Sequence, residues 1–298
     1  PEAAPASADG ARAALVQRTA HGVAHVSAPD LETLAYGMAY AHAQDNVCLT
    51  AEHLVTVRGE RARTFGATGT GQLGLRRLPN EIVDLFIAAH IDDAALARAA
   101  ATTPPEAHAL NRGYVAGYNR YLADHAGRLP AACNNAAWVK PMTAAEYLRI
   151  GELTAVQAGI AALADAMLGA APPKPAGNVA SAGPQIAQPA IDVAAAVALM
   201  REAGLVDPPL GSNAWAFGRE ATRTPHGLLL GNPHFPWVGT NRFWQVHLTV
   251  PGQLDVMGAS IGTFPMVVIG FTKDVAWSHT VSTGRRFTLH ELKLVPGD

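Results

Sequence analysis

Gly211-Ser212-Asn213-Ala214-Trp215-Ala216-Phe217-Gly218 is the stretch on which the fold turns. Alone, Gly-Ser-Asn is an ordinary turn sequence. It is not the G-x-S-x-G elbow, because no glycine stands two residues after the serine. Its surroundings give it weight. An apolar strand follows it. Upstream, residues 170–190 read AAPPKPAGNVASAGPQIAQPA, which is a linker by composition. Such a run is either a surface loop or a spacer to be cut out, and composition leaves both open. A short helix over about 191–203 lies between linker and serine.

Downstream the texture is β. Residues 243–250, FWQVHLTV, alternate, with Trp244, Val246, Leu248 and Val250 on one face and Phe243, Gln245, His247 and Thr249 on the other. MVVIGF at 266–271 and VAWSHTV at 275–281 read as more buried strands. The closing ELKLVPGD stops in mid-pattern, so further strands are expected to follow.

Upstream the texture is helical. Pro29 and Asp30 start a helix over 30–43 with Leu31, Leu34, Ala35 and Met38 on one face. A second helical pattern covers 46–63, a third 80–100 and a fourth 105–124. Thr143 and Glu146 form a capping box, which predicts a helix from there to about Met167. An extended segment holds His21 and His25. Helices first and strands later argue for an α+β or layered sandwich fold rather than a βαβ repeat.

Composition narrows the function. The 298 residues are 49% hydrophobic and 15% charged, an ordered globular balance. The net charge of -2 with no Lys/Arg run gives no footprint for nucleic acid. No apolar stretch reaches the ~20 residues of a membrane span. The opening PEAAPASADGARAAL reads as a mature terminus without a leader pattern. Cys48 and Cys133 form no CxxC, and their spacing allows one disulfide or two buried thiols.

The ordered motifs GSNAWAFG, LLLGNPHFPW, FWQVHLTVPG, DVMGAS, VIGFTKDVAWSHTVST and FTLHELKL, with HGVAHVSAPD and YGMAYAHAQDNVCLTAEHLVTVRGERARTFG earlier, resemble one family. It is the penicillin acylase family of N-terminal-nucleophile hydrolases, in the branch of aculeacin A and acyl-homoserine lactone acylases. The resemblance implies an αββα sandwich, with a helical α-chain region (1–168), a spacer (169–211) cut at Gly211–Ser212, and the start of a β-chain (212–298). It implies a periplasmic or secreted α/β heterodimer made from one precursor. The substrate would be a small N-acyl compound, with no nucleic-acid or membrane partner.

The resemblance also assigns roles. Ser212 is the nucleophile. Its own α-amine, with a pKa near 7.7–8.0, is the base. That amine exists only after Ser212 attacks the Gly211 carbonyl and frees itself. Gly211 suits the step because it has no Cβ. His234 corresponds to the histidine that supports processing and proton transfer. Val281 supplies an oxyanion N–H, a main-chain role open to any side chain. The second oxyanion donor of the family is an asparagine much farther along. Phe235, Ile261, Thr280 and Val281 match places that line an apolar acyl pocket; plain core packing accounts equally for Phe235 and Ile261.

No cofactor or metal is expected. Where penicillin G acylases carry calcium ligands, this chain reads Ser282-Thr283-Gly284-Arg285-Arg286, without a carboxylate. The twelve histidines include no HExxH, and His42 and His53 stand eleven apart. Two other readings compete with the hydrolase. One is a truncated, non-catalytic fragment of such an acylase or a binding module. The other is a zinc hydrolase.

Overall fold

Asp30 sets the central helix. Its carboxylate accepts from the Thr33 N–H at 2.8 Å and from Thr33 Oγ1 at 3.0 Å. Such an N-cap satisfies donors that the first turn leaves free. The helix, α1 (Leu31–Arg58), ends where Gly59 takes a left-handed conformation with φ 67° and donates to Thr56 and Val55. Residues 33–43 are buried without a break, so α1 is a core helix rather than a surface one. The patterns at 30–43 and 46–63 prove to be one helix with a kink at Asn46, φ -138°. The Asn46 side chain is held there by Arg242. The chain restarts beyond Gly59 as a short helix, α2 (Arg61–Phe65).

The computed structural model describes residues 2–3, 12–74, 76–157, 159–164, 167, 211–280 and 282. The spacer (169–211) except Gly211, the helix placed over 191–203, Val281 and residues 283–298 lie outside them. Before α1 come β1 (Glu2–Ala3), β2 (Leu15–Arg18) and β3 (Ala24–Ser27); the last two form from the extended segment around His21 and His25. After α2 come the hairpin β4 (Thr70–Leu73) and β5 (Arg76–Pro79), then α3 (Asn80–His90), α4 (Asp93–Ala101), α5 (Pro105–Asp124) and α6 (Ala144–Gln157). The second part holds β6 (Gly211–Phe217), β7 (Leu228–His234), β8 (Phe243–Val250), β9 (Leu254–Ile261), β10 (Ile269–Phe271) and β11 (Ala276–Trp277).

Several bounds differ from the periodicity. The run over 80–100 breaks at Ile91, because Asp92 caps a new helix by accepting from Ala94 N and Ala95 N. The capping box forms, with Thr143 N donating to Glu146 Oε2 at 2.7 Å and Glu146 N to Thr143 Oγ1 at 3.2 Å. Its helix stops at Gln157, and Ile160–Leu163 forms a 3₁₀ turn instead of continuing to Met167. The two later apolar runs give only β10 and β11. A turn joins these strands, with Thr272 N donating to Val275 O at 2.8 Å.

The main sheet has the order β1-β2-β3-β8-β9-β10-β11. Among the described residues only β3 and β8 pair in parallel, with His25 opposite His247. The sheet therefore joins strands from before α1 to strands from after β7. One face of β8 is packed on α1, and there Val246, Leu248 and Val250 are buried. The outcome is the mixed α+β fold expected.

Two helices approach closely. A Cβ on Gly113 would meet Glu32 O of α1 at 2.0 Å, and one on Gly117 would meet Tyr36 O at 2.1 Å. Small residues four apart on α5 thus let its backbone rest on α1. A disulfide between Cys48 and Cys133, with Cα atoms 5.5 Å apart, ties α1 to the loop beyond α5.

Candidate active site

β6 and β7 form a separate two-stranded antiparallel hairpin. Its register sets Gly211 opposite His234 and Ser212 opposite Pro233. Thr222 holds the connection, its Oγ1 lying within hydrogen-bond distance of the Arg219, Thr224 and His226 carbonyls. The hairpin thus brings a serine and a histidine 22 residues apart in sequence to the same end of one ribbon.

The backbone is continuous through Gly211 and Ser212. Ser212 Oγ donates to the Gly211 carbonyl oxygen at 2.6 Å. The hydroxyl therefore rests against the carbonyl of the peptide bond that precedes it. A Cβ on Gly211 would stand 3.2 Å from His234 Nδ1, so the imidazole faces that residue closely. The Asn232 amide nitrogen lies 3.0 Å from His234 Nε2. An amide NH₂ only donates, so Nε2 accepts and a neutral ring carries its proton on Nδ1, toward Gly211. Pro233, opposite Ser212, has no N–H to offer it. Gly231, farther along β7, leaves room for Ser278: a Cβ there would meet Ser278 Oγ at 3.0 Å. That hydroxyl is buried without a partner.

A mainly apolar cavity of about 510 Å³ opens between α5, α6 and the segments at 240–241 and 261–266. That volume lies within the range of small-molecule sites. Tyr147 of α6 fixes one wall, donating to the Thr263 carbonyl at 2.8 Å. Ile150, Gly151 and Thr154 of α6 face the same space. The loop 235–242 links the hairpin to the cavity, since it begins after His234 and delivers Thr240 and Asn241 to the wall.

The proposed site residues divide accordingly. Gly211, Ser212 and His234 come together. Ile261 lines the cavity. Phe235 packs on Phe243, ring centroids 5.1 Å apart, and Phe243 stands opposite Ile261 in the β8–β9 register. Neither Phe235 nor Phe243 is among the residues that line the cavity. Thr280 is exposed and is not among the lining residues. Sequence reasoning missed the α6 wall. Its signal was present, because Tyr147, Ile150, Gly151 and Thr154 share one face at helical spacing.

His25, His247 and His42 each have a hydrogen-bonding neighbour. His25 Nδ1 and His247 Nδ1 lie 2.8 Å apart, and His247 Nε2 lies 2.6 Å from Asp255 Oδ1. His42 Nδ1 meets Tyr114 Oη at 3.0 Å.

Comparison with known proteins identifies the family. Aculeacin-A acylase of Actinoplanes utahensis is 41% identical over 296 residues, 97% of this chain and 36% of that protein. Acyl-homoserine lactone acylase PvdQ of Pseudomonas putida is 41% identical over 298 residues, 100% of this chain and 36% of that protein. PvdQ of Pseudomonas syringae pv. syringae is 43% identical over 288 residues, 95% of this chain and 35% of that protein. The chain thus spans about a third of the length of these relatives. The solved thermostable penicillin G acylase from Alcaligenes faecalis aligns with 57% of this chain and 98% of its own, at 21% identity and a TM-score of 0.39. The penicillin amidase family model matches residues 13–298, from the strand before α1 through the serine-bearing hairpin and beyond, and the chain belongs to that family.

Proposed function

We propose that this chain is the nucleophile-bearing part of a self-processing amidohydrolase that removes a fatty acyl group from a polar amine. The observation that carries the reading is Ser212 Oγ at 2.6 Å from the carbonyl oxygen of Gly211, with His234 facing the same residue. In the first step Oγ adds to the Gly211 carbonyl carbon and the C–N bond to Ser212 breaks. An ester and a free α-amine result, and water then cleaves the ester. In this reading His234 Nδ1–H hydrogen-bonds the carbonyl under attack or hands a proton to the departing amine.

The freed α-amine then acts as base for Ser212 in each turnover. Ser212 attacks the substrate amide, the amine leaves, and water releases the acid from the acyl-enzyme. The oxyanion N–H assigned to Val281 belongs to this proposal. The apolar cavity suits the acyl chain, each buried CH₂ contributing about 0.8 kcal/mol. Relatives that act on aculeacin A and on acyl-homoserine lactones make acylated lipopeptides and N-acyl-homoserine lactones the first substrates to try. The product of processing is an α/β heterodimer. A periplasmic or secreted location is supported by the Cys48–Cys133 disulfide, since such bonds persist in oxidising compartments.

Mass spectrometry of the full-length protein tests the reading. The expected result is two chains, one beginning at Ser212, and a single uncut chain for Ser212→Ala. A wild-type protein that stays intact, or one that hydrolyses acyl amides equally well as Ser212→Ala, overturns it.

A further inference from the structure

His53 is a buried polar group of the cavity wall that the chemistry above does not use. It lies on α1, 7% exposed, and its Nε2 is buried without a hydrogen-bond partner. Buried polar atoms are nearly always paired, so an unpaired one beside a cavity points to a missing ligand atom or water. His53 lines two chambers. One is the apolar cavity of about 510 Å³. The other is a polar chamber of about 190 Å³ whose walls include Glu52, Arg61, Gln72 and Arg77. Thr240 also lines both. These two residues stand in the shared wall.

The charges behind that wall are already matched or solvated. Arg61 Nη2 donates to Glu52 Oε1 at 2.9 Å, Nη1 to Thr56 Oγ1 at 2.8 Å and Nε to Asn80 Oδ1 at 2.9 Å. Arg77 is exposed and donates to Thr70. The Thr240 N–H is taken by Gln72 Oε1 at 3.0 Å. Burial and then the Arg61 cation lower the His53 pKa to about 4, so the ring is neutral at neutral pH. A neutral imidazole has one donor and one acceptor nitrogen, and a hydroxyl can match it in either tautomer. A carboxylate would lose its water there without gaining a dedicated cation.

We propose that His53 and Thr240 form a polar subsite in the wall of the acyl cavity, and that it binds an acyl chain bearing a hydroxyl group. The inference rests on the amidohydrolase reading, because it takes the cavity as the acyl site. It adds a specificity-determining role to two residues remote in sequence from Ser212.

The test uses the full-length processed protein and amides of one fatty acid and of its mono-hydroxylated isomers, with the hydroxyl walked along the chain. The readout is the ratio of kcat/KM, hydroxylated over plain, measured within each variant, so differences in folded fraction cancel. At one position wild type is expected to exceed His53→Leu in that ratio by about threefold to tenfold, the worth of one neutral hydrogen bond. His53→Gln restores part of the ratio, and Thr240→Val lowers it. Equal ratios in wild type and His53→Leu at every position overturn the proposal. A ω-carboxylated chain preferred over every hydroxylated one overturns the ligand class. Calorimetric binding of the free acids is measured alongside. If no amide is cleaved, the hydrolase reading fails by itself, and binding still decides the subsite. Tighter binding of a hydroxylated acid that is lost in His53→Leu supports the subsite; no difference between the two proteins, or no binding of any acid, overturns it.

Discussion

A hairpin register puts Gly211 opposite His234 and Ser212 opposite Pro233, and the proposed self-cleavage rests on that pairing. Glycine at 211 leaves the space that the imidazole approaches. Gly211→Val would place branched carbons within about 3.2 Å of His234 Nδ1 and crowd the carbonyl under attack. Self-cleavage of Gly211→Val is therefore expected to slow markedly, measured as the time course of the Ser212 N-terminus by mass spectrometry. His234→Ala removes the imidazole whose Nδ1 approaches Gly211. If His234 acts as the proton donor, its loss should slow processing by about 10²–10⁴-fold, the usual range for general acid–base groups. Processing at the wild-type rate would show His234 to be a bystander. The order of motifs singled out this serine and histidine in the sequence, and the β6–β7 register sets them at one end of the hairpin. His53 was not legible, because a histidine inside an apolar helix looks like any satisfied core residue until its neighbours in space are known.

At the scale of elements, the close contact of α1 with α5 controls the packing of the helical half. Gly113 and Gly117 carry it, each facing a carbonyl oxygen of α1. A methyl at 117 would have to displace backbone, which no side-chain rotation relieves. Gly117→Ala is expected to destabilise the protein by about 1–3 kcal/mol, the usual cost of overpacking, despite alanine's better helix propensity. The shift of the urea midpoint measures it, and an unchanged or raised midpoint would contradict the contact. Here the sequence was informative in a specific way. The helix over 105–124 and the Thr143–Glu146 capping box were visible because local spacing encodes them. The breaks at Gly59 and Ile91 and the stop at Gln157 were not. The break at Ile91 depends on a local competitor, the Asp92 cap, that apolar periodicity ignores. The parallel pairing of β3 with β8 was also hidden, since its partners are more than two hundred residues apart.

Across the whole molecule, α1 carries two buried histidines whose protonation is coupled to folding. His42 and His53 are 5% and 7% exposed, and burial is the main cause that lowers each pKa from 6.5 to about 4. Between these values the unfolded chain holds more protons than the folded one. Stability then rises with pH across the window, is fully present above about 6.5, and is lost as pH falls toward 4. From pH 7.5 to 5.0 the loss is about 2 kcal/mol per histidine. Carboxylates with lowered pKa, such as Glu146 beside Arg58, lose their contribution as pH falls from about the ordinary carboxylate value downward, so they weigh little between pH 7.5 and 5.0. Urea unfolding at the two pH values is expected to show the loss, and His53→Leu should flatten the slope by about half. A pH-independent midpoint in wild type would mean that the histidines are not held neutral. The disulfide supplies an independent check on the same core. It closes a loop of 85 residues, and chain entropy gives such a cross-link a worth of about 4–5 kcal/mol. Because it does not titrate, the Cys48→Ser and Cys133→Ser double variant should shift the stability curve downward at every pH while keeping the histidine slope. A changed slope would mean that removing the cross-link had let water reach α1.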